Sequence, residues 1–194
     1  TAGRRVLNVF SYTGAFSVIA AACGASSLLS IDSSGPALAV AARNASLNDV
    51  DVGELMEADA FTALRGLRDR AQQYDLILLD PPKLANTERQ LDKATRAYKD
   101  LNLLAVKLLA PGGVLAVQMP RNFLAPSHTA IAETVLDGPW RALLEPLLAP
   151  PPVAEPGHYF EWLEPHAEHL DVWETEYLQV LTGRDAVKEW TKGT

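Results

Sequence analysis

Four short polar segments contain the residue types that could bind a ligand or take part in catalysis. Each directly follows an apolar run, three of them contain a carboxylate, and the first ends in a glycine that permits close backbone approach. Carboxylates and free backbone amides are the groups that hold hydroxyls and anions, so these segments are the candidate site. They are Phe10-Ser11-Tyr12-Thr13-Gly14, Asp32-Ser33, Asp59-Ala60 and Asp80-Pro81-Pro82-Lys83.

Asp32 follows Gly14 at about the 20-residue spacing at which an acidic side chain meets the ribose of a bound cofactor. A carboxylate accepts two hydroxyl protons well, which suits this role. The alternative is that Asp32 or Ser34 only caps the next helix. Asp59 has the same two interpretations, as a ligand-binding carboxylate or as the cap of a helix that begins at Ala60. The turn that ends at Gly14 has one glycine and is not a G-x-G-x-x-G phosphate loop.

Asp80-Pro81-Pro82-Lys83 is the most distinctive of these segments. Two prolines stiffen the chain and remove two backbone donors, so the carbonyl groups and the Asp80 carboxylate are left to face a ligand. As an isolated tetrapeptide it could be an ordinary turn. Because it ends the fourth apolar run, we predict that Asp80, Pro81 and Lys83 form the catalytic side of the site.

Short apolar runs alternate with longer amphipathic ones, which is typical of a doubly wound parallel α/β sheet. In such a sheet, ligands bind at the carboxyl ends of the strands, where the four polar segments lie. The predicted strands are Arg5–Phe10, Ser27–Asp32, Val52–Ala58, Tyr74–Asp80 and Gly113–Met119. The predicted helices are Gly14–Ala22, Pro36–Leu47, Ala60–Gln72 and Glu88–Leu109, the last of which is stopped by Pro111-Gly112-Gly113.

The pattern changes after the fifth strand. Helical segments at Ser127–Leu136 and Trp140–Leu148 lead to a stiff polyproline spacer, Pro150-Pro151-Pro152. We therefore divide the chain into a core at residues 1–149 and a second part at residues 150–194. The second part is predicted to supply a sixth strand, Leu170–Leu181, and a closing helix, Arg184–Trp190, to the same domain.

Composition narrows the function class. The 194 residues have a net charge of −7, with the excess of acidic residues in the second half, which disfavours nucleic-acid binding there. Cys23 is the only cysteine, so a disulfide scaffold is excluded, and we expect it in the core. We predict no membrane span, no metal site and a cytoplasmic location. Because Thr1 is not a methionine, we expect a domain from a longer product.

Residues 4–115 resemble the catalytic domain of bacterial 23S rRNA cytosine-C5 methyltransferases, which use S-adenosylmethionine (SAM) on a Rossmann-like fold. FSYTG, the acid at Asp32, DPPK and YKDLN recur in the order of that family. The resemblance implies that Tyr12, Thr13 and Gly14 line the methionine end of SAM and that Asp32 holds the ribose, with Phe10, Ser11 and Ser33 in the same cofactor site. It also implies that Asp59 and Ala60 lie by the adenine and that Asp80-Pro81-Pro82 faces the methyl group and the acceptor.

From Gly113 onward the chain instead resembles trans-aconitate 2-methyltransferase, through VLAVQMPRNFLAPSH, GHYFEWL and DVWETEYLQVL. This second resemblance implies that residues 150–194 form a partial cap and that the Rossmann-like sheet lacks its final strand. The sequence therefore looks like a hybrid, and the acceptor is either rRNA or a small carboxylic acid. Methylation at cytosine C5 needs a thiolate, which the rRNA family carries after its fifth strand, where this chain has Val117-Gln118-Met119-Pro120. A catalytically silent SAM-binding module is a further alternative, and a homo-oligomer is possible.

Overall fold

The computed structural model describes residues 1–82, 84, 91–119, 121, 124–148, 153–176 and 180–187. The described strands are β1 Arg5–Val9, β2 Ser27–Asp32, β3 Glu54–Glu57, β4 Tyr74–Leu79 and β5 Leu109–Val117. They form one parallel sheet in the order β3-β2-β1-β4-β5. From β1 the chain adds β2 and β3 on one side and then returns to add β4 and β5 on the other side, as in a doubly wound fold. The chain divides into two compact units, Thr1–Ala149 and Pro150–Thr194. The first unit contains the sheet.

The five strands lie in the order along the chain that the apolar runs predict. The inner strands β1, β2 and β4 are mostly apolar, because both faces of the sheet are covered where they lie. The edge strands β3 and β5 contain no fully buried residue.

The start of β5 differs from the prediction. Tyr74 pairs with Leu109 and Leu76 pairs with Val114, so the intervening residues bulge out of the ladder. That bulge contains Gly112, whose φ of 70° is in the left-handed region. The predicted turn is therefore present, but it interrupts β5 instead of preceding it, because the strand already pairs at Leu109.

Helices connect the strands and begin where the caps indicate. Ser34 Oγ accepts a hydrogen bond from Ala37 N at 3.3 Å at the start of α2, and Pro36 occupies the first turn. The helices of the first unit are α1 Ala15–Ala22, α2 Gly35–Leu47, α3 Ala60–Asp69, α4 Leu91–Leu108, α5 Pro126–Asp137 and α6 Arg141–Leu144, with a 3-10 turn at Glu145–Leu147.

The core lies on both faces of the sheet. Successive residues of a strand point to opposite faces, and in β1 Val6 packs with Ala20 and Leu28 on one side. Leu7 and Val9 belong to the larger cluster on the other side. That cluster includes residues from α3 and α4 that are almost inaccessible to solvent: Leu64, Leu101, Leu104 and Leu108. The strand ends are thus held by packing on both sides.

The second unit contains α7, Pro156–Leu163, and a 3-10 turn at Glu164–His166. Tyr159 and Trp162 pack edge to face, with ring centroids 5.6 Å apart. The predicted strand Leu170–Leu181 is not formed in residues 170–176 and 180–181, which are described without regular structure. Alternating apolar residues favour a strand only when a neighbour supplies its hydrogen bonds. Of the predicted helix Arg184–Trp190, residues 184–187 are described, with a turn that leads into helix at residues 186 and 187; the rest lies outside the described residues, as does Pro150-Pro151-Pro152.

Two further features follow from the fold. Among the described helices, none is both long and apolar enough to cross a membrane. Cys23 is exposed, so its expected place in the core is wrong. Cys23 ends α1 and comes after Ala20, the last buried residue of that helix. Its carbonyl oxygen accepts a hydrogen bond from the Thr1 hydroxyl at 3.3 Å.

Candidate active site

The turn between β1 and α1 has an unusual backbone conformation. Phe10, Tyr12 and Gly14 have φ angles of 61°, 48° and 79°, all in the left-handed region that non-glycine residues rarely adopt. The turn is fixed by a hydrogen bond from Ser11 N to Ile31 O at 3.0 Å and by one from Gly14 N to Ser11 O at 2.8 Å. Strained backbone of this kind is concentrated at ligand sites.

Gly14 is required for two reasons. Besides its positive φ, a Cβ atom at this position would lie 2.7 Å from the Ala41 Cβ on α2. The same turn is joined to α2 by a hydrogen bond from Asn44 Nδ2 to Thr13 O at 2.9 Å. Only a residue without a side chain lets α1 start this close to α2.

Asp32 joins this turn to the end of β2. Its Oδ2 accepts the Tyr12 N–H at 2.8 Å and its Oδ1 accepts the Ser34 N–H at 2.9 Å. Ser34, and not Asp32, caps α2. The Asp32 carboxylate is thus fixed by two backbone donors, and each oxygen still has a free lone pair. This geometry suits two adjacent hydroxyl groups. Ser33, beside it, is exposed.

Asp59 has the helix-capping role that was one of its two interpretations. Its Oδ1 accepts hydrogen bonds from Thr62 N at 2.9 Å and Thr62 Oγ1 at 2.8 Å. Ala60 is buried in the core, 6% exposed, so its side chain faces the sheet. A cofactor could still contact the backbone here, because Glu57 at the end of β3 pairs with Asp32 in the sheet register.

Asp80 directly follows β4 and is partly buried. Removal from water disfavours its charged form and raises the pKa of this carboxyl above its usual range. Pro81 is also partly buried, and Pro82 is exposed. Lys83 lies outside the described residues. A carboxyl group with a raised pKa at a strand end is a candidate for proton transfer.

The sheet register brings three of these segments together. Val9, the last residue of β1, pairs with Ile31 of β2 on one side and with Leu79 of β4 on the other. Phe10, Asp32 and Asp80 are the residues that come next on each of these strands. They therefore share one edge of the sheet, beside the point where the strand order reverses and where open α/β sheets bind ligands.

Sequence reasoning missed a buried polar network under this edge. Asn8 Nδ2 donates to Ser17 Oγ at 2.8 Å, and Ser17 Oγ lies 2.7 Å from Ser30 Oγ. Within the described part of the chain, Asn8 Oδ1 and the buried Ser11 Oγ have no hydrogen-bond partner. Unpaired polar atoms near a strand end are suited to hydrogen-bond a polar ligand. The signal was available, because Asn8 and Ser30 interrupt otherwise apolar strands.

A second missed residue is Tyr98 on α4. Its hydroxyl donates to Pro82 O at 2.9 Å and accepts the Leu84 N–H at 3.2 Å. It therefore binds the chain on both sides of position 83. Tyr98 is the first residue of the YKDLN motif, to which the sequence alone assigned no role.

Comparison with known proteins identifies the family. Residues 1–160 match the family described as S-adenosylmethionine-dependent methyltransferase. The chain belongs to this family. SAM is accordingly its cofactor, and the left-handed turn, the Asp32 carboxylate and the orphaned acceptors of Asn8 and Ser11 provide groups that suit its charged and hydroxyl-bearing parts.

Two curated relatives of this chain are named for ribosomal RNA. It is 48% identical over 117 residues to ribosomal RNA large subunit methyltransferase I of Serratia proteamaculans, covering 59% of this chain and 30% of the relative. With the enzyme of the same name from Aeromonas salmonicida it shares 42% identity over 141 residues, covering 71% and 36%. The chain thus spans about a third of the length of these relatives.

Solved methyltransferase structures share the fold. The crystal structure of SMU.776, complexed with SAH, aligns with a TM-score of 0.55 and 28% identity, covering 71% of this chain and 37% of that one. A SAM-dependent methyltransferase from Agrobacterium tumefaciens aligns with a TM-score of 0.50 and 28% identity, covering 68% and 44%. These similarities agree with the parallel sheet described above.

Proposed function

We propose that this chain transfers a methyl group from SAM to a base of large-subunit ribosomal RNA. The observation on which this rests is the convergence of the ends of β1, β2 and β4 at one sheet edge, with Asp32 bound to the β1 turn. The names of the curated relatives support rRNA as the acceptor.

In this proposal the cofactor and the acceptor contact different strands. SAM supplies a methyl group on a positively charged sulfur. Asp32 and Ser33 orient the ribose, the Phe10–Gly14 turn holds the methionine end, and the Asp59–Ala60 segment lies by the adenine. Asp80, Pro81 and Lys83 face the acceptor. Most of the rate would come from orienting the two reactants and excluding water, because a charged sulfonium is already a good methyl donor.

The carboxyl group of Asp80 suits a base that carries an exocyclic amine. The two prolines offer no N–H donors, and the Pro82 carbonyl already accepts the Tyr98 hydroxyl. The Asp80 carboxylate is therefore the main acceptor of the described loop, and it matches the N–H groups of cytosine or adenine. The raised pKa of Asp80 also favours uptake of the proton that the acceptor loses after methyl transfer.

Cytosine C5 is the position that the sequence resemblance implies, and it carries an additional requirement. A thiolate must first add to the ring, because C5 is not nucleophilic by itself. Cys23 terminates α1, the helix that leads from the carboxyl end of β1 back to the start of β2. It is therefore at the opposite edge from Asp80. C5 chemistry would need a thiolate that the described carboxyl edge does not supply.

A small carboxylic acid is the second candidate acceptor, and the described contacts favour it less. Binding of a tricarboxylate calls for cationic donors, of which the second half offers Arg121, Arg141 and Arg184. Arg141 is paired with Glu145, its Nε 2.7 Å from Oε2. A carboxylate substrate would have to replace Glu145 at this guanidinium.

The proposal is tested by methyl transfer from SAM that carries a deuterated methyl group. The protein is incubated with unmethylated 23S rRNA and, in parallel, with trans-aconitate, and the products are analysed by mass spectrometry. A mass shift in an rRNA nucleoside is the expected result, and its fragmentation identifies the base and atom. Transfer only to trans-aconitate would replace rRNA with the small acid. Calorimetric SAM binding without either transfer would identify a silent module.

A further inference from the structure

We propose that Tyr98 is a positioning residue that holds the Asp80-Pro81-Pro82 segment in place for methyl transfer. The inference rests on the proposed function of this edge and adds a residue on α4 to it. Its basis is the pair of hydrogen bonds that one hydroxyl group makes to the backbone on the two sides of position 83, with Pro82 O at 2.9 Å and Leu84 N at 3.2 Å.

The direction of these two bonds is fixed by chemistry. A carbonyl oxygen can only accept and a backbone N–H can only donate, so the hydroxyl must give its single proton to Pro82 and receive the Leu84 proton on a lone pair. A phenylalanine side chain can do neither. Both backbone groups would then have to find water, and the end of β4 at Leu79 and the packing of Leu84 against the core would be left to hold the segment.

The helix that bears Tyr98 is itself firmly anchored. Leu101 and Leu104 on α4 are almost fully buried in the core. Arg65 of α3 forms an ion pair with Asp100, so the two helices are joined at the level of Tyr98. The hydroxyl therefore transmits the position of a packed helix to the loop. This is how a residue that does not touch the reactants can fix the geometry of those that do.

The loop is stiff enough for this anchor to reach Asp80. Pro81 and Pro82 each have a restricted φ angle, so fixing the Pro82 carbonyl limits the orientation of the whole segment back to β4. Asp80 is then held between the end of the strand and the Tyr98 contact. A displacement of about 1 Å at such a position can cost about a hundredfold in rate.

The test compares Tyr98→Phe with Tyr74→Phe. Tyr74 is buried at the opposite end of β4, so the second variant removes a hydroxyl from the same sheet but not from this loop. We expect the Leu84 amide to exchange with solvent about tenfold faster in Tyr98→Phe than in the wild type. We also expect kcat with 23S rRNA to fall at least tenfold, while the Kd for SAM changes less than twofold. Tyr74→Phe should change none of the three.

Each contrary result would contradict a different step of the proposal. Unchanged Leu84 exchange would show that the hydroxyl does not hold the loop, and faster exchange with an unchanged kcat would show that the contact does not position the reaction. Equal losses in both variants would assign Tyr98 to general stability and overturn the proposal. If the wild-type protein methylates no rRNA, the proposed function fails, and Leu84 exchange still decides whether the contact exists.

Discussion

Gly14→Ala should destabilise the protein and thereby test the close approach of α1 and α2. The φ of Gly14 is 79°, and an L-residue in this region costs about 1–2 kcal/mol. The new Cβ would also lie 2.7 Å from Ala41 Cβ and 3.2 Å from its Cα. Neither atom can swing away, and overpacking of this kind costs about 1–3 kcal/mol. The two effects together predict a loss of about 2–5 kcal/mol.

Gly112→Ala is the matched control. Gly112 has a φ of 70°, and a Cβ there would meet nothing within 4 Å. It therefore bears the conformational cost without the steric one. The difference between the two variants isolates the contact with Ala41 and should be about 1–3 kcal/mol.

Urea unfolding followed by circular dichroism measures this difference. With a slope of about 2 kcal/mol per M, Gly14→Ala should unfold at a urea concentration about 0.5–1.5 M lower than Gly112→Ala. Equal midpoints for the two variants would refute the argument from helix approach. A Gly14→Ala protein as stable as the wild type would also contradict the left-handed turn itself.

Three further predictions concern charge and sulfur. Asp32→Asn should raise the Kd for SAM about tenfold or more in calorimetry, because hydrogen bonds to a charged group are the stronger ones; an unchanged Kd would contradict the ribose role. Arg5 hydrogen-bonds Asp75 and lowers its pKa from 3.8 to about 2. Arg5→Ala should therefore lower the stability by its whole amount above about pH 4 and by less and less as the pH falls towards 2. If the difference in thermal midpoint between wild type and variant does not become smaller over this range, the ion pair is not its cause. Cys23→Ser should leave methyl transfer intact, since Cys23 is exposed at the opposite edge, and abolished transfer in a folded protein would overturn that placement.

The inner strands of the sheet were predictable because they are buried on both faces. An apolar run between turn residues is a strong signal, and β1, β2 and β4 differ from their predicted bounds by one residue or less. The segment Leu170–Leu181 shows the limit of that signal. Its alternation is as good as that of a real strand, but pairing depends on a neighbour that no local pattern specifies.

The candidate site was predictable only in part. Asp32 and Asp80 could be located because parallel strands end at one edge, so position in the sheet follows from position in the sequence. Which polar residue caps each helix could not be determined in advance: Ser34 caps α2, whereas Asp59 caps α3. Tyr98 was also missed, because its partners are separated from it along the chain and meet it only in the folded protein.

Asp32 and Tyr98 stabilise the two sides of the site independently, and this leads to a last prediction. Asp32 binds the backbone of the β1 and β2 turns, whereas Tyr98 binds the loop after β4, and no described contact joins the two residues. Effects of residues that share no partner are close to additive. In the double variant Asp32→Asn/Tyr98→Phe, the Kd for SAM should equal that of Asp32→Asn alone, and kcat at saturating SAM should equal that of Tyr98→Phe alone. A kcat loss much larger or smaller than this would show that cofactor and acceptor loops move as one unit, in which case the division of roles between β2 and β4 would be wrong.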